Sequence, residues 1–134
     1  MTIKELVEKY SFHDGSICGM KMMGKDFHVL MELCEDEVNS GPQNNDIIRV
    51  IFKNAKVDFD KEIQASAFDA YIDVVDDKVV EENGKIHLEL SLEIEDPQDY
   101  VEVKITTNDV EVINYGLADE DKYHTFADIE SEVD

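Results

Sequence analysis

The chain of 134 residues contains no tryptophan, one arginine, two prolines, two cysteines and six glycines. Each scarcity excludes something. No apolar run approaches the ~20 residues that cross a bilayer as a helix. The start, Met1 to Tyr10, is polar and carries no apolar core of a secretory leader. Cys18 and Cys34 are too few for a disulfide framework and read as reduced thiols, so a cytoplasmic location is expected. The glycines form neither a P-loop nor a dinucleotide fingerprint, and no G-x-S-x-G nucleophile elbow occurs. Without tryptophan, and with five tyrosines, there is little to build a sugar-stacking platform.

Basic charge is also scarce. Twelve Lys+Arg stand against 33 Asp+Glu, a net charge of −21, and Arg49 is the sole arginine. A phosphate-binding footprint is missing, so direct contact with nucleic acid or an anionic membrane surface is disfavoured. The partners such a surface attracts are cations, above all a basic protein face. Crowded carboxylates are expected to raise one another's pKa and to favour mild acid and salt.

What is abundant is β-branched. Val, Ile, Leu and Phe supply 39 residues, about 29 % of the chain, above the ~20 % below which a highly charged chain stays disordered. Val plus Ile total 26 against 13 for Leu plus Ala, a bias toward strands. Thr2 to Tyr10 reads as a short helix, with Thr2 and Glu5 as a capping box and Ile3, Leu6, Val7 and Tyr10 on one face. A hairpin turning at Gly24-Lys25 sets Met22, Met20 and Cys18 opposite Phe27, Val29 and Met31 on one face. A third strand over 46–53 puts Ile48, Val50 and Phe52 on one side and Arg49 and Lys53 on the other. Residues 54–73 read as a strand through Val57 and Phe59, then a turn or short helix through Ile63, Ala67, Ala70 and Tyr71. A second hairpin turns at Asn83-Gly84 and pairs Val79 with Leu88 and Val75 with Leu92. A third at Thr107-Asn108 sets Ile105 against Val110 and Lys104 against Glu111. The acidic segment 117–134 is expected to dock, as a short helix carrying Tyr123, Phe126, Ile129 and Val133. The whole predicts a single domain of mainly β (α+β) class: an antiparallel meander of about seven or eight strands forming a sandwich or partial barrel.

Chemistry-bearing patterns are few. His13-Asp14 has the letters of a metal-phosphohydrolase pair, but His28, His87 and His124 are isolated from it. Phe12-His13-Asp14 therefore reads as a structural turn. Glu35-Asp36-Glu37 and Asp119-Glu120-Asp121 lack the spacing and glycine of a calcium loop. No catalytic residue, metal ligand or cofactor site is assigned, and the chain is expected not to be an enzyme. If the acidity is functional, it should form a contiguous patch. The contributors expected are Glu35, Asp36, Glu37 and Asp46 in the 35–46 loop, with Asp119, Glu120, Asp121, Asp128 and Glu130 in the tail.

The run Tyr10-Ser-Phe-His-Asp-Gly-Ser-Ile17 resembles a group of small bacterial domains of unknown function. These open with a short helix, then "FHD" and a small residue, then a β-hairpin. Some members are assigned as toxin-immunity proteins. The resemblance implies no catalytic residues and leaves the Phe12-His13-Asp14 turn either structural or a partner contact. Two functions fit this sequence: an acidic protein-binding domain with a basic partner, such as a toxin nuclease, and a housekeeping domain or enzyme with a small-molecule site in a curved sheet.

Overall fold

Thr2 caps the helix α1 (Ile3–Lys9) by accepting from the Glu5 N–H, and the Glu5 carboxylate accepts the Thr2 N–H in return. Seven residues fall below the ~12–15 at which an isolated helix holds in water. Packing therefore supports α1, through Ile3, Leu6 and, at its end, Tyr10, all buried. In this computed structural model the residues described are 1–10, 12, 13, 15–33, 46–62, 72–95 and 98–117.

Eight strands follow among the described residues: β1 (Ser16–Met23), β2 (Asp26–Glu32), β3 (Asp46–Lys53), β4 (Lys56–Phe59), β5 (Ile72–Glu82), β6 (Lys85–Glu95), β7 (Gln98–Thr106) and β8 (Asp109–Leu117). They make one open antiparallel sheet in the order β4-β7-β6-β5-β1-β2-β3-β8. Its middle is its weakest seam. β1 and β5 pair only through Ser16–Asp73 and Ile17–Ile72, extended by the Val74 N–H donating to the Gly15 carbonyl at 2.8 Å. The seam divides the sheet into two halves of four strands. Phe27, Val29, Val50 and Phe52 of one half share a continuous apolar core with Leu88, Leu90, Val103 and Ile105 of the other. The sheet thus curls over one core as a partial barrel. α1 lies across the opening: the Val110 N–H of β8 donates to the Met1 carbonyl at 2.7 Å, and Lys4 pairs with Glu81 of β5 at 3.6 Å.

The helix, its capping box and the first two hairpin turns lie where the sequence places them. Asn83 and Gly84 both have positive φ, 53° and 76°, the requirement of a type I′ turn. Three registers differ from expectation. In β1, Met22, Met20 and Gly19 oppose Phe27, Val29 and Leu30, but Ile17 then opposes Met31. Cys18 is an extra residue, a β-bulge, so it turns away from the core while Ile17 turns in. In β5 a second bulge at Val75 puts Val74, not Val75, opposite Leu92. Both bulges flank the seam where the sheet bends, and the extra residue supplies that bend.

The third difference is topological. Thr107-Asn108 turns the chain but makes no hairpin. β8 pairs with β3, Val110 opposite Phe52 and Val112 opposite Val50, while β7 lies between β6 and β4. The charge pattern that suggested a hairpin is met elsewhere. Lys104 stands opposite both Glu89 and Asp58, and Glu111 reaches Lys53 at 3.2 Å. The buried Thr107 hydroxyl bonds the Lys53 carbonyl and accepts the Asp109 N–H, fastening the crossover to β3. The expected helix in 63–71, the 35–45 loop, Cys34 and the tail lie outside the described residues. Among the described residues no helix is long and apolar enough to cross a membrane.

Candidate functional site

Strand β4 alternates in the simplest way. Val57 and Phe59 turn toward the core side, while Lys56, Asp58 and the following Asp60 turn outward. Pairing through β7, β6 and β5 carries the outward set across one half of the sheet in rows. One row reads Asp58, Lys104, Glu89, Lys78, with signs alternating. Cross-strand neighbours of opposite charge support one another, so this row is neutral within itself.

The next two rows differ. Asp60, Glu102, Ser91 and Asp76 form one, and Tyr100, Glu93 and Asp73 the other. They hold five carboxylates and no lysine. Several are held in place. The Glu102 N–H donates to the Asp60 carboxylate at 2.8 Å, the Ser91 hydroxyl donates to the Glu102 carboxylate, and the Ser16 hydroxyl donates to Asp73 at 3.1 Å. The nearby Lys61 is occupied by Asp99 at 2.8 Å, which raises the Lys61 pKa and lowers that of Asp99. A hollow of about 270 Å³ lies among Asp58, Asp60, Glu89, Glu102 and Lys104.

On its other side β4 borders a larger groove of about 620 Å³. Met20, Met22 and Phe27 form one wall, Val57 and Phe59 the other, and Asp58, Asp60 and Glu62 stand at its rim. The Phe27 and Phe59 rings meet edge to face at 6.3 Å. Met22 and Phe59 remain 49 % and 42 % exposed, which makes this an apolar surface open to solvent. These side chains offer contact area and charge rather than a nucleophile.

Two further polar groups sit on the opposite face of β1, β2 and β3. Arg49 donates from Nε to His28 Nδ1 at 2.9 Å and lies 3.2 Å from the Met23 sulfur. Both Arg49 and His28 are buried, and burial followed by the Arg49 charge lowers the His28 pKa. The sole arginine is thus consumed inside the fold. Cys18 is free and packs with Leu30, Ile47 and Tyr115. Burial and the Glu32 carboxylate push its thiol up to about 11.

The expected upward shift of carboxylates holds for Asp77, through burial and then Asp76. It fails for Glu5, where bonds to Thr2 lower the pKa, and for Asp99 as above. Among the expected site residues, Phe12 is buried in the core and its carbonyl accepts the Gly15 N–H at 2.9 Å, closing the turn. A Cβ on Gly15 would stand 3.1 Å from the Phe12 oxygen and 3.2 Å from that of Glu32, so a larger residue would press on both carbonyls. His13 is exposed, and its charge bears on Asp77. Asp46 opens β3 opposite Leu117. Asp14, Glu35, Asp36, Glu37, Asp119, Glu120, Asp121, Asp128 and Glu130 lie outside the described residues. The Asp60–Asp73–Asp76–Glu93–Glu102 face was not anticipated. The alternation of His87, Glu89, Ser91 and Glu93 was its one visible signal, since the rest depends on which strands become neighbours. Set against protein-family models and curated proteins, the chain matches none of either.

Proposed function

We propose that this chain is a non-enzymatic protein-binding domain whose partner presents a basic face. The observation that carries the reading is the pair of rows on β5, β6 and β7, five carboxylates with no lysine between them. A solubilising coat needs only scattered charge, as in the neighbouring Asp58–Lys104–Glu89–Lys78 row. A one-sign face set on a rigid sheet steers an oppositely charged partner and repels nucleic acid and anionic lipid. The resemblance at Tyr10–Ile17 makes a toxin nuclease, whose own site holds phosphates, a partner of the right chemistry.

Charge reversal tests this. The chain with Asp76→Lys and Glu93→Lys should lose retention of basic proteins that wild type holds at low salt and releases at a few hundred millimolar, with its melting temperature unchanged. Equal retention by both would remove the face from consideration. The groove supports a second reading, because about 620 Å³ falls within the ~300–1,000 Å³ of small-molecule sites. A metabolite that raises the melting temperature, and no longer does so after Phe59→Asp, would favour it.

A further inference from the structure

The groove is bounded by strand edges, not by a sheet face. A face presents alternate residues, whereas this groove is lined by the consecutive Met20, Lys21 and Met22 of β1 and by every residue from Val57 to Glu62. Among the described residues β4 pairs with β7 alone. In an antiparallel ladder, alternate residues direct both N–H and C=O to the same neighbour. The Asp60 N–H donates to the Glu102 carbonyl of β7, so Lys56 and Asp58, in phase with Asp60, face β7. The Ala55 N–H donates the other way, to Lys25 in the β1–β2 turn. Val57 and Phe59 share its phase and aim their backbone groups into the groove. On the far wall, the β1 ladder to β5 comprises Ser16 and Ile17 only. The Ala55–Lys25 bond thus closes one end of a slot whose two strand edges separate along Met20–Met22 and Val57–Phe59.

We infer that this slot takes an extended segment of the basic partner as an added strand on β4, with Lys or Arg alternating with apolar residues. This rests on the proposed function and names its mode. Backbone groups of Val57 and Phe59 supply the ladder. Pleating sends one set of the segment's side chains onto Met20, Met22, Phe27 and Phe59. The other set lies beside Asp60 and Glu62, which attract cations because Lys61 is held by Asp99; Asp58 already faces Lys104, and Lys21 stands on the far wall. Edge strands are ordinarily blunted by shortness and charge, and β4 is short and carries Lys56 and Asp58. The exposed Met22 and Phe59 beside it run against that pattern and give the added strand an apolar seat.

The probes are synthetic peptides on the full chain, followed by fluorescence anisotropy at low salt. An alternating Val/Lys heptapeptide should bind at least ten-fold tighter than a peptide of the same composition with the valines and lysines in blocks. N-methylation of alternate residues in one frame should weaken it ten-fold or more, and in the other frame little. The Val57 and Phe59 amides should gain hydrogen-exchange protection. Val57→Pro removes a donor on the edge turned away from β7 and none from the β7 ladder; it should weaken binding ten-fold or more with the circular dichroism unchanged. The N-methyl series gives the same answer without altering the protein. Equal, salt-sensitive binding of alternating and block peptides would overturn the added strand and leave the basic-partner reading standing. Binding of neither peptide would overturn both. A concentration-dependent dimer that protects the same two amides would assign the edge to a second copy of this chain and overturn the inference.

Discussion

The bulge at Cys18 makes a sharp prediction, because a hairpin without it would exchange the fates of two adjacent residues. With the bulge, Ile17 is 1 % exposed within the main core and Cys18 is half-buried on the opposite face. Ile17→Ala removes about three methylene equivalents, worth ~0.8 kcal/mol each, and the residual cavity raises the total to roughly 2.5–4 kcal/mol. An unfolding entropy of ~2.1 cal/mol/K per residue makes 1 kcal/mol equivalent to about 3–4 °C for a chain of this length. Ile17→Ala should therefore lower Tm by about 8–14 °C, a large part of a typical ~5–15 kcal/mol of stability. Cys18→Ala deletes one heavy atom from a half-buried site and should cost less than ~1 kcal/mol, or under about 4 °C. Scanning calorimetry with a urea titration reads both, and an unchanged m-value keeps the comparison on the native state. If Cys18→Ala costs as much as Ile17→Ala, the strand is in plain alternation and the bulge does not exist. The seam geometry built on it would then fall as well.

Burial and Arg49 hold the His28 pKa below 6.5, so the folded state binds fewer protons than the unfolded state and stability is lost as pH falls through 6.5 toward the lowered value. Asp77, raised by burial and Asp76, acts in the opposite sense and adds stability as pH falls through its raised pKa toward 3.8. A thermal-shift series from pH 7.5 to 5.5 should show the wild-type advantage over His28→Gln shrinking with acid; parallel curves would refute the His28 account. Thr2→Ala removes the hydroxyl that accepts the Glu5 N–H and should cost about 1 kcal/mol, whereas Glu8→Ala on the exposed side should change Tm by less than ~2 °C; equal effects would show the cap to be idle. With Cys34 replaced by Ser, the Cys18 thiol, pushed up to about 11 from 9.0, carries on the order of 100-fold less thiolate at neutral pH and should react correspondingly slowly with a disulfide reagent. A peptide-like rate would mean that Cys18 is not packed against Leu30 and Ile47.

Much of this fold is written locally. The Thr2/Glu5 box, the Gly24-Lys25 and Asn83-Gly84 turns and the 85–94 alternation each depend on residues within a few positions of one another. Propensity and periodicity act at that range, so the sequence alone determined one helix, antiparallel strands, their inward faces near each turn and a chain poor in phosphate-binding cations. Its reach ended at the bulges. Cys18 and Val75 are ordinary strand residues, and only the need to bend the sheet where β1 meets β5 makes them the extra ones. The same holds for the crossover. Lys104 and Glu111 satisfy a hairpin, but they are equally satisfied by Glu89 and Lys53, and closing the core over Phe52 and Val110 chose between the two. The acidic rows and the slot belong to that second category. Asp60, Glu102, Ser91 and Asp76 come from four different strands or their ends, and Met20 and Phe59 line one groove only because β4 leaves β3 and joins the other half of the sheet. Charge balance is a property of composition, whereas the direction a charged face or a free strand edge points is settled only when non-local strands pair.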